Sequence, residues 1–553
     1  MNFQFTSKIK RNLIILIAIG LVLTVIGFRG ESNHLYTTGY TDEGIKVFKA
    51  YDANPAEAGF NLQKAYKAAA NEKGANNLLV EFYHDMPLTK EELISNILAS
   101  AKEQGIDVKV QDLKADHGHS HSGDAHADES HKEEAHEGGH PELQLLLTPT
   151  KSHSTASHAE EAHGSHGHEA HSPMETLEHI VHEEGVFPDT HHARTWSNLL
   201  VNGFFFFGIG LGALFFIALQ YATESGWGVV YKRVLEAIIG YLPVGALLLI
   251  FVFFGSSMEW NHIYHWMVEG VDVPGHIEYD SIIANKKPFL SKTFFWIMNV
   301  VYFGVFLLFA RGFRKRSLQE DKEGGTKIHM KNFAKGAFFL VLFGYLSSAM
   351  SWHWVMSIDT HWFSTLFGWY VFSGIWLSAV IFILLLTFWL KGKGYLEFIN
   401  ESHIHDMGKW MFAISFLWTY LFFSQFMLIW YANIPEEVTY YVARFGDYKW
   451  LLWTMVAINF LVPIVLLMSR EAKRSRLTIL IIGFILFLFH WIDVFIMVMP
   501  GSVFDHWAIG SLEVGMFLTF LGIFIFTVLR SLSKAPLLVK NHPYLDENLH
   551  HDT

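Results

Sequence analysis

Long apolar runs separated by short polar loops dominate the chain. The first run, Asn12 to Phe28, follows Lys8, Lys10 and Arg11. Val25–Arg29 is not a small-residue cleavage site, so the run is expected to be an uncleaved span rather than a signal peptide. Nine further runs lie near 196–222, 234–254, 292–312, 334–356, 365–389, 410–433, 451–468, 477–499 and 508–530. Each has about 18–27 residues, enough to cross a hydrocarbon core of about 30 Å. The pattern predicts an all-α polytopic membrane protein with ten transmembrane helices.

Between the first two runs the pattern changes. Asn76 to His84 reads as a buried strand. Thr89 with Glu92 forms a capping box for a helix carrying Leu93, Ile94, Ile97 and Leu98. Gly105 ends that helix, and Ile106 to Val110 alternate as a second strand. A small α/β module is expected over about 33–114. The stretch 115–175 repeats His with Gly, Ser, Ala and Glu and is expected to be a disordered linker. Its histidines, including His117, His119, His121, His166 and His168, are expected to bind divalent metals only weakly. The expected organisation is an anchor at 1–29, the module at 30–114, a His-rich linker at 115–195, a nine-helix membrane domain at 196–533 and a tail at 534–553.

Composition narrows the classes. Of 553 residues, 51% are apolar and 17% charged, against about 25% charged in soluble proteins. The net charge of −12 argues against nucleic-acid binding. There is no cysteine, so the chain carries no disulfide, no Cys-ligated iron–sulfur cluster and no Cys-attached haem. Lysine and arginine set the expected orientation. The segments 223–233, 311–335, 390–409, 469–476 and 530–540 carry 20, and 255–292, 357–364, 434–450 and 500–507 carry 5. By the positive-inside rule both termini are expected in the cytoplasm and 30–195 in the periplasm. Trp260, Trp266, Trp352, Trp354, Trp362 and Trp450 cluster at span ends, as an interfacial belt requires.

Ionisable groups in spans are costly and point to function. They concentrate in the expected outer half: His353 at the end of the fifth span, Asp359 and His361 in the loop after it, His490 and Asp493 in the ninth, Glu513 early in the tenth, and Glu259 after the third. Asp493 and Glu513 fall at similar depth on consecutive spans, so they are expected to face one another across a water-filled outer half-channel. A lone His353 beside two tryptophans reads more readily as a packing histidine than as a ligand, and the alternative for the carboxylates is interhelical hydrogen bonding. No continuous wire across the inner half is legible.

Two segments carry a resemblance. SIDTHWFSTLFG at 357–368 and FFSQFMLIWYANIPEE at 422–437 resemble the ActF subunit of bacterial alternative complex III, in the NrfD/PsrC-like integral membrane family. The resemblance covers about 196–545. It implies a pair of four-helix bundles plus two peripheral spans, in a bacterial inner-membrane quinol:cytochrome c oxidoreductase of the respiratory chain. It also implies partners: an ActC-type paralogue that oxidises the quinol (menaquinol), a multihaem cytochrome c, an iron–sulfur protein, a terminal oxidase and membrane lipids. Haem c and iron–sulfur clusters would reside in those partners, with none in this chain, whose part would be proton conduction or support. The quinol-site motif of the paralogue is not legible here, and the 33–114 module is not a feature of the family.

Three other readings stay open. A purely structural scaffold subunit fits the same sequence. A heavy-metal transporter would use the His-rich tract and the His490/Asp493 face, but needs three or four convergent midplane ligands. A b-type haem would need His353 and His490 to face each other.

Overall fold

The computed structural model describes residues 2–29, 35–40, 46–51, 78–83, 94, 95, 98, 108–112, 143–149 and 193–552, except 269, 275–279 and 505–506. The chain divides into two compact units, residues 31–191 and the remainder.

The larger unit has ten helices long and apolar enough to cross a membrane, as the pattern predicts. They are α1 (Ser7–Arg29), α2 (Ala193–Ala222), the broken pair α3 (Lys232–Ile239) and α4 (Leu242–Ser257), α6 (Lys292–Glu323), α7 (Lys327–Trp354), α8 (Leu366–Lys391), α9 (Glu401–Ala432), α11 (Lys449–Leu467), α13 (Arg476–Val498) and α14 (Ser511–Leu532). Shorter helices lie between them at Ser281–Lys286 (α5), Pro435–Phe445 (α10) and Arg470–Arg474 (α12), and Leu545–Leu549 (α15) lies in the tail. The break in the third span falls at Gly240–Tyr241, just before Pro243 in the first turn of α4, where proline's missing N–H costs nothing. Ser291, Asn400 and Ser475 cap α6, α9 and α13 through their side-chain oxygens.

Packing follows chain order. Helices α2, α3/α4, α6 and α7 close one four-helix bundle, and α8, α9, α11 and α13 close a second. Helix α2 is the shared wall: it packs on α7 within its own bundle, on α8 and α13 of the other, and on α14. Its sequence suits that position. Leu200 to Leu214 is buried at every residue, including four consecutive phenylalanines, and a helix that is apolar all round belongs in an interior. Gly212 brings α2 against α8, since a Cβ there would stand 2.6 Å from the Ile375 carbonyl oxygen.

Helices α1 and α14 lie outside the bundles, packed on each other, and α14 leans on α2 and α3. Small residues let them touch. A Cβ on Gly20 would meet Thr519 at 2.5 Å, and one on Gly515 would meet the Thr24 backbone nitrogen at 2.4 Å. This is the small-residue seam by which membrane helices approach closely.

The lysine- and arginine-rich loops gather at one end, called here the basic end, where they form a buried network. Lys232 bonds Glu320 (2.7 Å), Arg233 bonds Glu236 (2.6 Å) and Asp321, and Arg314 bonds Glu236 (2.7 Å). The tail runs beneath both bundles. Lys540 donates its N–H to Asp321 (2.8 Å), the Asn548 side chain accepts from Val230 N–H (3.0 Å), and His551 bonds Asp406 on α9 (2.6 Å).

The smaller unit holds a five-stranded sheet, β1 (Leu35–Tyr40), β2 (Lys46–Tyr51), β3 (Leu78–Tyr83), β4 (Val108–Asp112) and β5 (Leu143–Pro149), in the order β1-β2-β3-β5-β4. Among the described strands only β2 and β3 pair in parallel, with Val47 opposite Leu79. Strands β3 and β4 fall where the pattern places them, and Ile94, Ser95 and Leu98 are helical as expected. The expected boundary at 114 is corrected. Strand β5 lies inside the stretch assigned to the linker, yet it pairs with both β3 and β4. Its Leu-Gln-Leu-Leu-Leu run is a short apolar island between two histidine blocks. The tract histidines His117, His119, His121, His166 and His168 lie outside the described residues.

Candidate functional site

The second bundle holds a polar cluster in the half away from the basic end, built from three helices. Helix α13 contributes His490 and Asp493, whose i, i+3 spacing puts both on one face. Both are buried, and His490 Nδ1 lies 3.8 Å from Asp493 Oδ2. Helix α8 supplies Tyr370, whose hydroxyl donates to Asp493 Oδ1. Helix α9 supplies Trp418, whose indole N–H donates to Asp493 Oδ2 at 2.9 Å and whose ring meets the His490 imidazole edge-on, with centroids 5.5 Å apart. The carboxylate is thus fully engaged. Neither ring nitrogen of His490 has a hydrogen-bond partner in the structure. Leaving such a buried group unpaired costs roughly 1–3 kcal/mol, so the site calls for a water, a proton or a ligand. A cavity beside His490, Asp493 and Ser378, of about 10 Å³, has room for about one water.

A second cavity of the same size opens on the other side of the Tyr370–Asp493 bond, lined by Tyr370, Gln425, Tyr440, Tyr441 and Arg444; Met497 lines both. Arg444 is buried in α10. It donates to the carbonyls of Tyr440 (2.9 Å), Ile496 (3.2 Å) and Met497 (3.1 Å) and forms an ion pair with Asp359 at 3.0 Å. Its guanidinium lies over the Tyr440 ring, 3.4 Å from the centroid, and Trp362 stacks on the same tyrosine at 3.9 Å. Burial works against the arginine's charge, but Tyr440 and Asp359 outweigh it and raise its pKa above the ordinary value. The arrangement is a line of polar groups from a partly exposed Asp359, through Arg444 and a water-sized space, to Tyr370, Asp493 and His490.

Neither family models nor characterised proteins match this chain.

The remaining sequence candidates go elsewhere. Glu513 does not face Asp493, contrary to expectation. It is wholly buried in an ion pair with Arg194, Nε to Oε1 2.7 Å and Nη2 to Oε2 2.8 Å. It also accepts from Asn198 (3.0 Å) and from the Gly510 N–H at the start of its own helix (2.8 Å). The physical reason is the position of α2, whose polar stripe of Arg194, Asn198 and Asn202 takes up the α14 carboxylate. His353 is a packing histidine: it lies in the first bundle, stacked on Phe289 at 4.1 Å, with Nδ1 2.7 Å from the Tyr302 hydroxyl. It does not pair with His490, and the bis-histidine haem reading lapses. His361 bonds Asp280, the N-cap of α5. Glu259 makes an exposed ion pair with Lys292 (3.0 Å), worth little. Of the sequence candidates, the structure therefore brings together His490, Asp493 and, through Arg444, Asp359.

Sequence reasoning missed Tyr370, Trp418, Arg444, Arg194, Asn198 and Asn202. Arg444 had a faint signal, as one of few cations in the sparsely charged loops. Tyr370 and Trp418 are indistinguishable by sequence from the belt and core aromatics around them.

Proposed function

We propose that this chain is the ActF-type membrane subunit of a bacterial alternative complex III, a respiratory quinol:acceptor oxidoreductase, and that its second bundle carries an outer proton half-channel. The basic end then faces the cytoplasm, and residues 30–195 the periplasm. The observation that carries the reading is a buried Asp493 held by Tyr370 and Trp418 beside an unpaired His490. Water-sized spaces flank it, and a partly exposed Asp359–Arg444 pair lies at the rim.

Three further features support it. Two four-helix bundles with two peripheral helices are what the resemblance of 357–368 and 422–437 implies. Trp362 of the first segment stacks on Tyr440 of α10, the helix that begins at the end of the second segment. The absence of cysteine fits a subunit whose haem c and iron–sulfur centres sit in partners. The two cavities that flank the Tyr370–Asp493 bond are too small for a quinone ring, and this reading leaves menaquinol oxidation to the ActC-type paralogue.

In this reading a proton moves between the outer surface at Asp359 and the Asp493 carboxylate, by way of a water in the second cavity, between Arg444 and Tyr370, and the Tyr370 hydroxyl. His490 is the next acceptor. Mild-detergent extraction of the tagged chain is expected to bring down a multihaem cytochrome c and an iron–sulfur protein. A chain that purifies alone would contradict the assignment. External protease on spheroplasts is expected to cut within 115–142 and spare 311–335, and the reverse would overturn the orientation.

A further inference from the structure

Beneath the first bundle, at the basic end, three side chains converge that the proton path does not use. Glu320 lies in the last turn of α6, His329 in the first turn of α7, and His542 in the tail beyond α14. One ligand atom from each lies within 4.8 Å of the other two. All three are buried, with 1%, 4% and 8% of their surface exposed. Among the described residues no other group of three His, Asp or Glu side chains converges in this way.

The cluster contains unused lone pairs. Neither ring nitrogen of His329 has a hydrogen-bond partner, and neither does Glu320 Oε1. Lys232 takes only the other carboxylate oxygen, Oε2, at 2.7 Å. Glu320 Oε1 and His329 Nδ1 face each other at 3.8 Å, and the His329 and His542 rings meet edge to face with centroids 5.1 Å apart. Buried polar atoms left unpaired in this number call for an occupant.

We propose that Glu320 Oε1, His329 and His542 bind a divalent first-row transition metal ion, with Zn²⁺ the best fit. Two imidazoles and one carboxylate are a borderline-soft donor set of the kind Zn²⁺ takes, with a water completing four ligands. Mg²⁺ and Ca²⁺ ask for oxygen donors throughout. Zinc bonds of 2.0–2.1 Å place tetrahedral ligand atoms roughly 3.4 Å apart, so the three groups close in by about 1 Å. Little opposes that movement. His329 gives up no hydrogen bond, and His542 gives up one long contact from the Tyr544 N–H to its Nδ1, at 3.3 Å. Lys232 keeps Glu320 Oε2 and fixes which oxygen is offered. The ion would tie α6, α7 and the tail at one point, next to the anchor where Lys540 and Asn541 bond Asp321.

The His-rich tract is expected to bind metal weakly as well, so the test must isolate this site within the full-length protein. Purified protein in detergent is loaded with Co²⁺, and bound metal and visible spectrum are compared among wild type, His329→Ala and His542→Ala. Separately, tryptic cleavage after Lys534 and Lys540 is timed with and without Zn²⁺. Expected results are one equivalent less Co²⁺ in each variant, loss of the intense four-coordinate bands, and at least tenfold slower tail cleavage with Zn²⁺ in wild type alone. His542 lies in the tail, so its variant can be confirmed as folded by an unchanged gel-filtration profile. If folded His542→Ala keeps the full metal count and bands, or if Zn²⁺ does not protect the wild-type tail, the ion resides only in the tract and the proposal falls.

Discussion

Glu513 and Arg194 form a two-pronged ion pair that ties the first turn of α14 to the first turn of α2, with N–O distances of 2.7 and 2.8 Å. Asn198 adds a third bond to the carboxylate, and Asn202 continues the stripe to the Trp491 indole N–H at 3.0 Å. The pair fixes a peripheral helix to the wall shared by the two bundles.

Removing one partner of such a pair strands the other. Glu513→Gln is therefore expected to lower thermal stability by about 3 kcal/mol without changing proton coupling. Thermal unfolding of the purified complex measures the first and a quinol-pulse pH trace the second. A large coupling defect in a stable Glu513→Gln protein would return Glu513 to the path.

The α1–α14 seam makes a second expectation. Gly515 has the backbone of Thr24 where a Cβ would go. Gly515→Leu is expected to cost about 1–3 kcal/mol by overpacking and to detach α1, while both bundles stay intact. A cysteine in place of Thr519, which is buried in the seam, reports the separation: it should resist a membrane-permeant maleimide in the otherwise native chain and react with it in Gly515→Leu.

Asp280 supplies a pH expectation. Burial opposes its charge, but the His361 hydrogen bond and the backbone N–H groups of Ile283 and Ile282 prevail and lower its pKa from 3.8 to about 2. A depressed folded pKa means that its stabilising contribution is complete above about pH 4 and is lost as pH falls toward 2. Hydrogen exchange at Ile282 and Ile283, corrected for intrinsic rates, should show protection that drops across that window. Asp280→Asn, still a good N-cap, should keep protection but lose its pH dependence. The same drop in Asp280→Asn would assign it to another group.

The ten helices were legible because bilayer thickness sets a minimum apolar length that few soluble segments reach. The division into two four-helix bundles was implied by the family resemblance, not by the pattern of apolar positions. The position of Glu513 was not legible. Depth along a helix follows from residue counting, but which neighbour a side chain meets depends on rotation and on α2 as the shared wall. Strand β5 was hidden for a different reason: a seven-residue apolar island inside a histidine-rich stretch is outvoted by its flanks. The cluster of Glu320, His329 and His542 joins residues far apart in the chain through a tail whose sequence shows no periodicity. Asp493 and His490 were visible because ionisable groups in a span are rare.

The central claim is that Asp493 accepts and releases a proton during turnover. Its most direct test is the proton-to-electron ratio of quinol-driven electron transfer in sealed vesicles carrying the assembled complex, with wild type compared against Asp493→Asn. Asparagine keeps the shape and can accept from the Trp418 indole N–H through its carbonyl oxygen while its amide N–H donates to the Tyr370 hydroxyl, but it cannot carry a proton. The account predicts a clearly lower ratio at near-normal assembly and haem content. An unchanged ratio would contradict it and leave the buried cluster as interhelical polarity in a scaffold subunit.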